Sequence, residues 1–353
     1  MDASSGFRRR FALVVGLLAL GAPLAVATEL RVPKDFATIQ AALDAAISGN
    51  SIRIAAGTYD EVLTVTGKSD VTMFGVGTVV IDGGTAVGAT LTIESCDGFT
   101  LKNVRVRRGD IGVHTKLSSG IALLGVRATK CVQTGLFVAS GERARIESCI
   151  VEGGLHEAIR SAVEYTTISK CVVPKSGGGG IVLLGGLSYC GSNTVSKTGA
   201  DGITASGGRI VLEKNVVKNA GGRGVFVASA SEVVVRANKI QGAATTGLAC
   251  DANGVVVDGN SVVGSGARGI DVEGASIKLV ANTIRSSGSE GLFVGSASTD
   301  VVVLANKVRQ SQAVGFVIGG DQVVLAENVS KNNQGGLTLS ATDVDQFANQ
   351  FQS

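Results

Sequence analysis

Residues 289–310, SEGLFVGSASTDVVVLANKVRQ, carry a Gly-apolar-x-apolar run, then an apolar triplet, then an Asn. Residues 267–288 read ARGIDVEGASIKLVANTIRSSG and residues 313–334 read AVGFVIGGDQVVLAENVSKNNQ, so one phrase is written three times in succession. With Asn306 as marker, the column runs back through Asn282, Asn260, Asn238, Asn215 and Asn193 and forward to Asn328, in steps of 22 to 24 residues. Farther back the same position holds Cys171, Cys149, Val126 and Val104. A repeat of this length is the mark of a solenoid, in which each unit buries its apolar face against its neighbours.

Within a unit the apolar period is two, as in Leu292 and Val294 around Phe293, or Ile270 and Val272 around Asp271. That is strand spacing with one face buried. Each unit therefore holds three short strands: the GLFV type, the VVVL type, and one that follows the Asn. Gly/Ser-rich loops lead back to the next first strand. The L-x-x-L-x-L frame of leucine-rich repeats is missing, which leaves a coil of parallel sheets with turns about 4.8 Å apart. The Asn column is expected at the bend between second and third strands, where a residue must tolerate the left-handed region. Its amides can also bond to those one turn above and below, which satisfies a buried polar group.

These features resemble the right-handed parallel β-helix proteins of the pectin-lyase-like superfamily. The resemblance runs from about residue 30 to the end and includes DFATIQAALDAAISGNSIRIAAGTYDEVLTVTGKSDVTMFGVG, residues 35–77, which is similar to the opening of many such chains. It implies an all-β, single-stranded parallel β-helix of three sheets behind an N-terminal capping helix. Phe36, Ile39, Leu43 and Ile47 fall on one helical face, with Asp35 placed to cap the start and Gly49 to end it. Phe347 and Phe351 are placed to cover the last coil.

The chain divides on this reading into a leader at 1–27, a capping segment at 28–50 and the β-helix at 51–353. The leader has a basic start (Arg8, Arg9, Arg10), an apolar stretch and an Ala25-Val26-Ala27 ending, which reads as a secretory signal. Export places the mature chain in the periplasm, outside the cell or on its surface, without a membrane span. Over the whole chain the net charge is +3, and the leader carries three arginines and one aspartate of it. The near-neutral remainder offers no net field to gather nucleic acid or an anionic membrane. Six cysteines in an exported chain raise the question of disulfides. Cys149 and Cys171 sit in the ladder column and Cys190 and Cys250 at inward strand positions, all four reading as small buried residues. Stacked, parallel side-chain vectors disfavour a Cys149–Cys171 bridge.

The β-helix enzymes that the chain resembles bind polysaccharide along the outer face of the first strand and the loop before it. The outward column here is His114, Phe137, Arg160, Val182, Thr204, Phe226, Ala249, Asp271, Phe293, Val317 and Thr338. Loop ends add Asp110, His156, Glu157, Asp201, Arg223, Arg268 and Glu290. His114, His156, Glu157 and Arg160 form the candidate catalytic group, since a His or carboxylate beside an Arg can act as base and sugar-carboxylate clamp. Phe137, Asp201, Arg223, Phe226, Arg268, Asp271, Glu290 and Phe293 form the candidate ligand-binding set.

The motifs of catalytic families are missing. The chain has no Asp-Asp, no G-H-G, no D-F-I-F-G and no D-P-H. Asp271 stands alone on its face, short of the six or more oxygens that calcium needs, so neither metal nor cofactor is expected. Three readings stay open. An exported binder of extended polysaccharide or another cell-surface polymer leads. A polysaccharide lyase or glycoside hydrolase on the first-strand face is the second. A structural or assembly protein, self-associating through the outer residues Phe226, Ala249, Phe293 and Val317, is the third.

Overall fold

The computed structural model describes residues 28–85 and 87–352; the leader read at residues 1–27 lies outside them. The chain winds into about fifteen coils of about 22 residues, each laid on the last in parallel register. In the repeat at residues 267–334, Ile270–Glu273, Leu292–Val294 and Val314–Ile318 stack as one sheet. Ala275–Val280, Thr299–Leu304 and Asp321–Ala326 stack as the second. Thr283–Arg285, Lys307–Arg309 and Val329–Lys331 belong to the third, which runs the length of the molecule in 14 strands. The parity read from the sequence holds: Leu292, Val294, Val301, Val303 and Val308 all point into the core.

The Asn column forms a continuous ladder. From Asn193 to Asn328, each backbone N–H and each Nδ2 donates to the Oδ1 of the Asn one coil on, as Asn260 does to Asn282 at 2.9 and 3.0 Å. Each Nδ2 also donates to a carbonyl of the previous coil, in the case of Asn260 to Val235 at 2.8 Å. The ladder extends one rung past the marker column, to Asn349. At its other end the Cys171 N–H donates to Asn193 Oδ1, and the Cys171 and Cys149 thiols face previous-coil carbonyls where an amide would otherwise be.

One expectation fails here. The Asn is not the left-handed residue; the residue before it is, with φ of 54° at Lys214, 53° at Ala237, 52° at Ala281 and 54° at Ala305. The Asn keeps an ordinary conformation because its side chain must project inward to reach both neighbours. The strain falls on the preceding residue, roughly 1–2 kcal/mol for an L-residue, and the ladder's bonds offset it.

The glycine that opens most of the first strands, where Ala158 is an exception, has a packing reason. A Cβ on Gly269 would lie 2.3 Å from Ile284 Cγ2 and 2.6 Å from the Gly291 carbonyl; on Gly291 it would lie 2.0 Å from Val308 Cγ1. In these coils the third strand's β-branched side chain occupies the space beside the glycine Cα, and a side chain there would have to displace it.

At the start of the solenoid, Glu29–Val32 already pairs with Ser51–Ile54, and the helix Ile39–Ala45 buries Ile39, Ala42 and Leu43 against the end. Thr38, not Asp35, caps it: Thr38 Oγ1 accepts from Ala41 N, and the Glu61 carboxylate accepts from Ile39 and Gln40 N–H at 2.9 Å each. Asp35 instead accepts from Arg31 N in the preceding turn. The C-cap is Ala46 and not Gly49, and Ile47 is exposed beyond it. The Gln40 amide both accepts from Thr64 N and donates to Thr64 O, so a side chain stands in for the missing strand and blocks edge pairing. At the far end Phe351 packs edge-on against Phe316 at 5.3 Å, whereas Phe347 lies in an outward row and is exposed. All six cysteines are buried free thiols. Among the described residues no helix is long and apolar enough to cross a membrane.

Candidate functional site

The first sheet brings the outward column into a single line. His114 pairs with Phe137, Phe137 with Arg160, and the register continues through Val182, Thr204, Phe226, Ala249, Asp271 and Phe293 to Val317 and Thr338. The three Phe therefore stand four and then three strand spacings apart, about 19 and 14 Å.

Each Phe carries an arginine and each arginine a carboxylate. The Arg223 guanidinium lies over the Phe226 ring at 3.2 Å from the centroid, and its Nε and Nη2 donate to Asp201 Oδ2 at 3.2 and 2.9 Å. Asp201 Oδ1 accepts from the Arg223 N–H, which locks the loop end to the strand. The Arg268 guanidinium lies over Phe293 at 3.4 Å, donating to Asp271 at 2.9 Å and Glu290 at 3.4 Å. Arg160 sits 5.6 Å from the Phe137 centroid and donates to Glu157 at 3.1 Å. A ring beneath and a carboxylate at the side fix the guanidinium plane, which reduces what is lost when it binds a ligand. Arg223 Nη1 and Arg268 Nη2 have no hydrogen-bond partner among the described residues. Each cluster keeps donors to offer.

The candidate catalytic group is brought together only in part. His114 stacks on Phe137 at 4.9 Å with the rings 6° from parallel, so His114, Phe137, Arg160 and Glu157 form one contiguous cluster. His156 lies outside it, on the exposed loop, where its carbonyl accepts from Ser176 Oγ and its N–H donates to Gln133 O. Burial pushes His114 below the ordinary imidazole range and Lys116 adds to this, with Glu94 opposing, so the ring is neutral near pH 7. For Glu290, burial alone would raise the pKa. Its own backbone N–H, Ser289 and Arg268 outweigh that and hold the carboxyl below its ordinary value. Carboxylates held ionised by arginine are poor proton donors. Among the described residues no three His, Cys, Asp or Glu side chains converge as a metal site.

The sequence placed Arg223, Phe226, Arg268 and Phe293 in one set but did not show the arginine-over-Phe stacking. Its signal was present as spacing: Arg223 and Phe226 are three apart, while Arg268–Phe293 and Phe137–Arg160 are one coil plus or minus a few residues apart.

The family described as "Right handed beta helix region" matches residues 64–191 and 190–343. No curated protein sequence matches the chain. Among solved structures, the A-module of the Azotobacter vinelandii mannuronan C-5 epimerase AlgE6 is 16% identical with a TM-score of 0.61, covering 89% of this chain and 95% of that one. The tailspike of the E. coli bacteriophage HK620, solved in complex with a hexasaccharide, is 12% identical with a TM-score of 0.57, covering 88% and 73%. The Streptococcus pneumoniae surface adhesin PfbA is 10% identical with a TM-score of 0.53, covering 92% and 93%. At these identities the likeness is one of fold. On the strength of the matched segments, which take in most of its length, the chain belongs to the right-handed β-helix family.

Proposed function

We propose that the protein recognises an extended polysaccharide laid along the outer face of the first sheet, and that it acts outside the cytoplasm. The observation that carries this reading is the threefold recurrence of an arginine, stacked on a Phe and braced by a carboxylate, on one straight line of the solenoid. A linear glycan presents hydroxyls at regular intervals along an extended axis. Guanidinium donors at fixed levels suit such a ligand better than they suit a compact one. The hexasaccharide-bound tailspike and the mannuronan epimerase among the structural neighbours lend support, as does the adhesin for a surface location. Binding is favoured over catalysis because Glu157, Asp201, Asp271 and Glu290 are each engaged by an arginine as a brace, which leaves guanidinium donors and no free carboxyl pair toward a ligand.

The test is a panel of linear polysaccharides assayed both for binding and for new reducing or unsaturated ends. Binding without product, weakened about tenfold in the Arg223→Ala and Arg268→Ala proteins, is the expected result. Product formation that survives in both variants would refute the reading.

A further inference from the structure

The near-neutral total charge conceals a segregated one. From Thr194 to Phe351 the third-sheet strands contain no Asp or Glu, yet they carry Lys197, Lys218, Lys239, Arg285, Lys307, Arg309 and Lys331. None of these seven is in an ion pair among the described residues. All are exposed except Lys331, which is half-buried. Of the carboxylates of the same coils, Glu232, Asp251, Glu273 and Asp300 sit at or near the bend between first and second sheets, while Asp258 and Glu327 lie at the bend that leads into the third and off its strands. The near-neutral net charge therefore does not extend to this face.

A merely solvated face mixes its signs, as the second sheet does with Arg145 beside Glu147 and Arg236 beside Glu213. The third sheet does the reverse. Arg285 pairs in register with Arg309, and Arg309 with Lys331, while Lys307 and Arg309 project from one strand. Like charges directly opposite on neighbouring strands destabilise a sheet, and an anionic partner removes that repulsion.

We propose that this face of the solenoid binds a linear anionic polysaccharide, with acidic groups aligned coil by coil along the molecular axis. The site lies on a different sheet from the arginine–Phe clusters and does not depend on them. Its outward residues beside the cations are Thr, Ser, Val and Gln, with no aromatic; Phe351 packs on Phe316. A base-stacking platform is thus missing, which argues against single-stranded nucleic acid. The rise of about 4.8 Å per coil is close to the length of one sugar, so one acidic group per sugar keeps step with the strands.

The experiment uses the intact protein with polygalacturonate as probe, neutral dextran as control, and duplex DNA and anionic phospholipid vesicles as rivals. The Arg285→Gln/Arg309→Gln/Lys331→Gln protein is compared with Lys34→Gln/Lys102→Gln/Lys278→Gln, which loses the same charge elsewhere. Salt-sensitive binding that falls about tenfold in the first and less than about twofold in the second is expected. The Phe226→Ser/Phe293→Ser protein should retain it, which separates this face from the first sheet. Equal losses in the two triple variants, no binding of polygalacturonate, or tighter binding of DNA or vesicles would overturn the proposal. Should the first triple variant fail to fold, Arg309→Gln alone should weaken binding about two- to threefold, and an unchanged affinity would count against the site.

Discussion

Replacing Asn260 by Ala removes one rung from the middle of the buried ladder. The side chain accepts from the Asn238 N–H at 2.9 Å and from Asn238 Nδ2 at 3.0 Å, and it donates to Val235 O at 2.8 Å and to Asn282 Oδ1 at 3.0 Å. Asn260→Ala thus leaves two donors of Asn238 without an acceptor and the Val235 carbonyl without its amide. At about 1–3 kcal/mol for each buried donor, the loss is roughly 2–6 kcal/mol. Asn349 accepts the equivalent pair of bonds from Asn328, but it is only half-buried. Water can replace it, and Asn349→Ala should cost about 1 kcal/mol or less. Urea unfolding followed by circular dichroism measures the two losses. Hydrogen exchange localises the first, with the Asn238 amide expected to exchange faster in Asn260→Ala than in the parent. Equal losses for the two variants, or an unchanged Asn238 amide, would refute a continuous buried ladder.

Further outcomes follow from other parts of the coil. Gly269→Ala should destabilise by roughly 1–3 kcal/mol, because its Cβ would enter the Ile284 side chain and the Gly291 carbonyl; a neutral result in the same urea assay would show that this corner is loosely packed. Thiol titration should find six reactive groups in denaturant and none reacting quickly in the native protein, since burial pushes Cys131 and Cys250 up to about 12. Asp82 is covered, which alone would raise its pKa, but the Gly84 N–H with Arg107 and Arg108 lowers it below the ordinary value. Its contribution is therefore full above the ordinary carboxylate pKa of about 4 and lost as pH falls through the depressed native value. Asp82→Asn should cost about 1 kcal/mol at pH 7, and melting curves of variant and parent should converge in acid.

The fold was legible because a solenoid writes its cross-section into every repeat. Period-two apolar runs gave the inward faces, and the marker column gave the register that aligns Phe226 with Ala249 and Asp271 with Phe293. What escaped the reading lies between coils or depends on one residue's backbone. The left-handed position carries Lys, Ala or Glu as readily as Gly, so composition did not mark it. Gln40 and Glu61 act at the N-terminal end through bonds to residues more than twenty positions away. The basic third sheet was hidden because its cations are scattered, at most two per coil and none in Ser261–Val263, among acids that the winding mostly carries elsewhere. The arginine–Phe clusters were hidden for the same reason, since Arg268 and Phe293 meet only when one coil lies on the next.

The proposed recognition is spread over three levels of the first sheet, at Phe137, Phe226 and Phe293, about 33 Å from end to end at the strand spacing. Calorimetric titration with a bound glycan cut to graded lengths tests it most directly. Affinity should climb in steps as the chain grows long enough to reach two levels and then three, and should level off once about eight sugars span the face at one per coil. Affinity that is already maximal for a disaccharide would refute recognition at three levels.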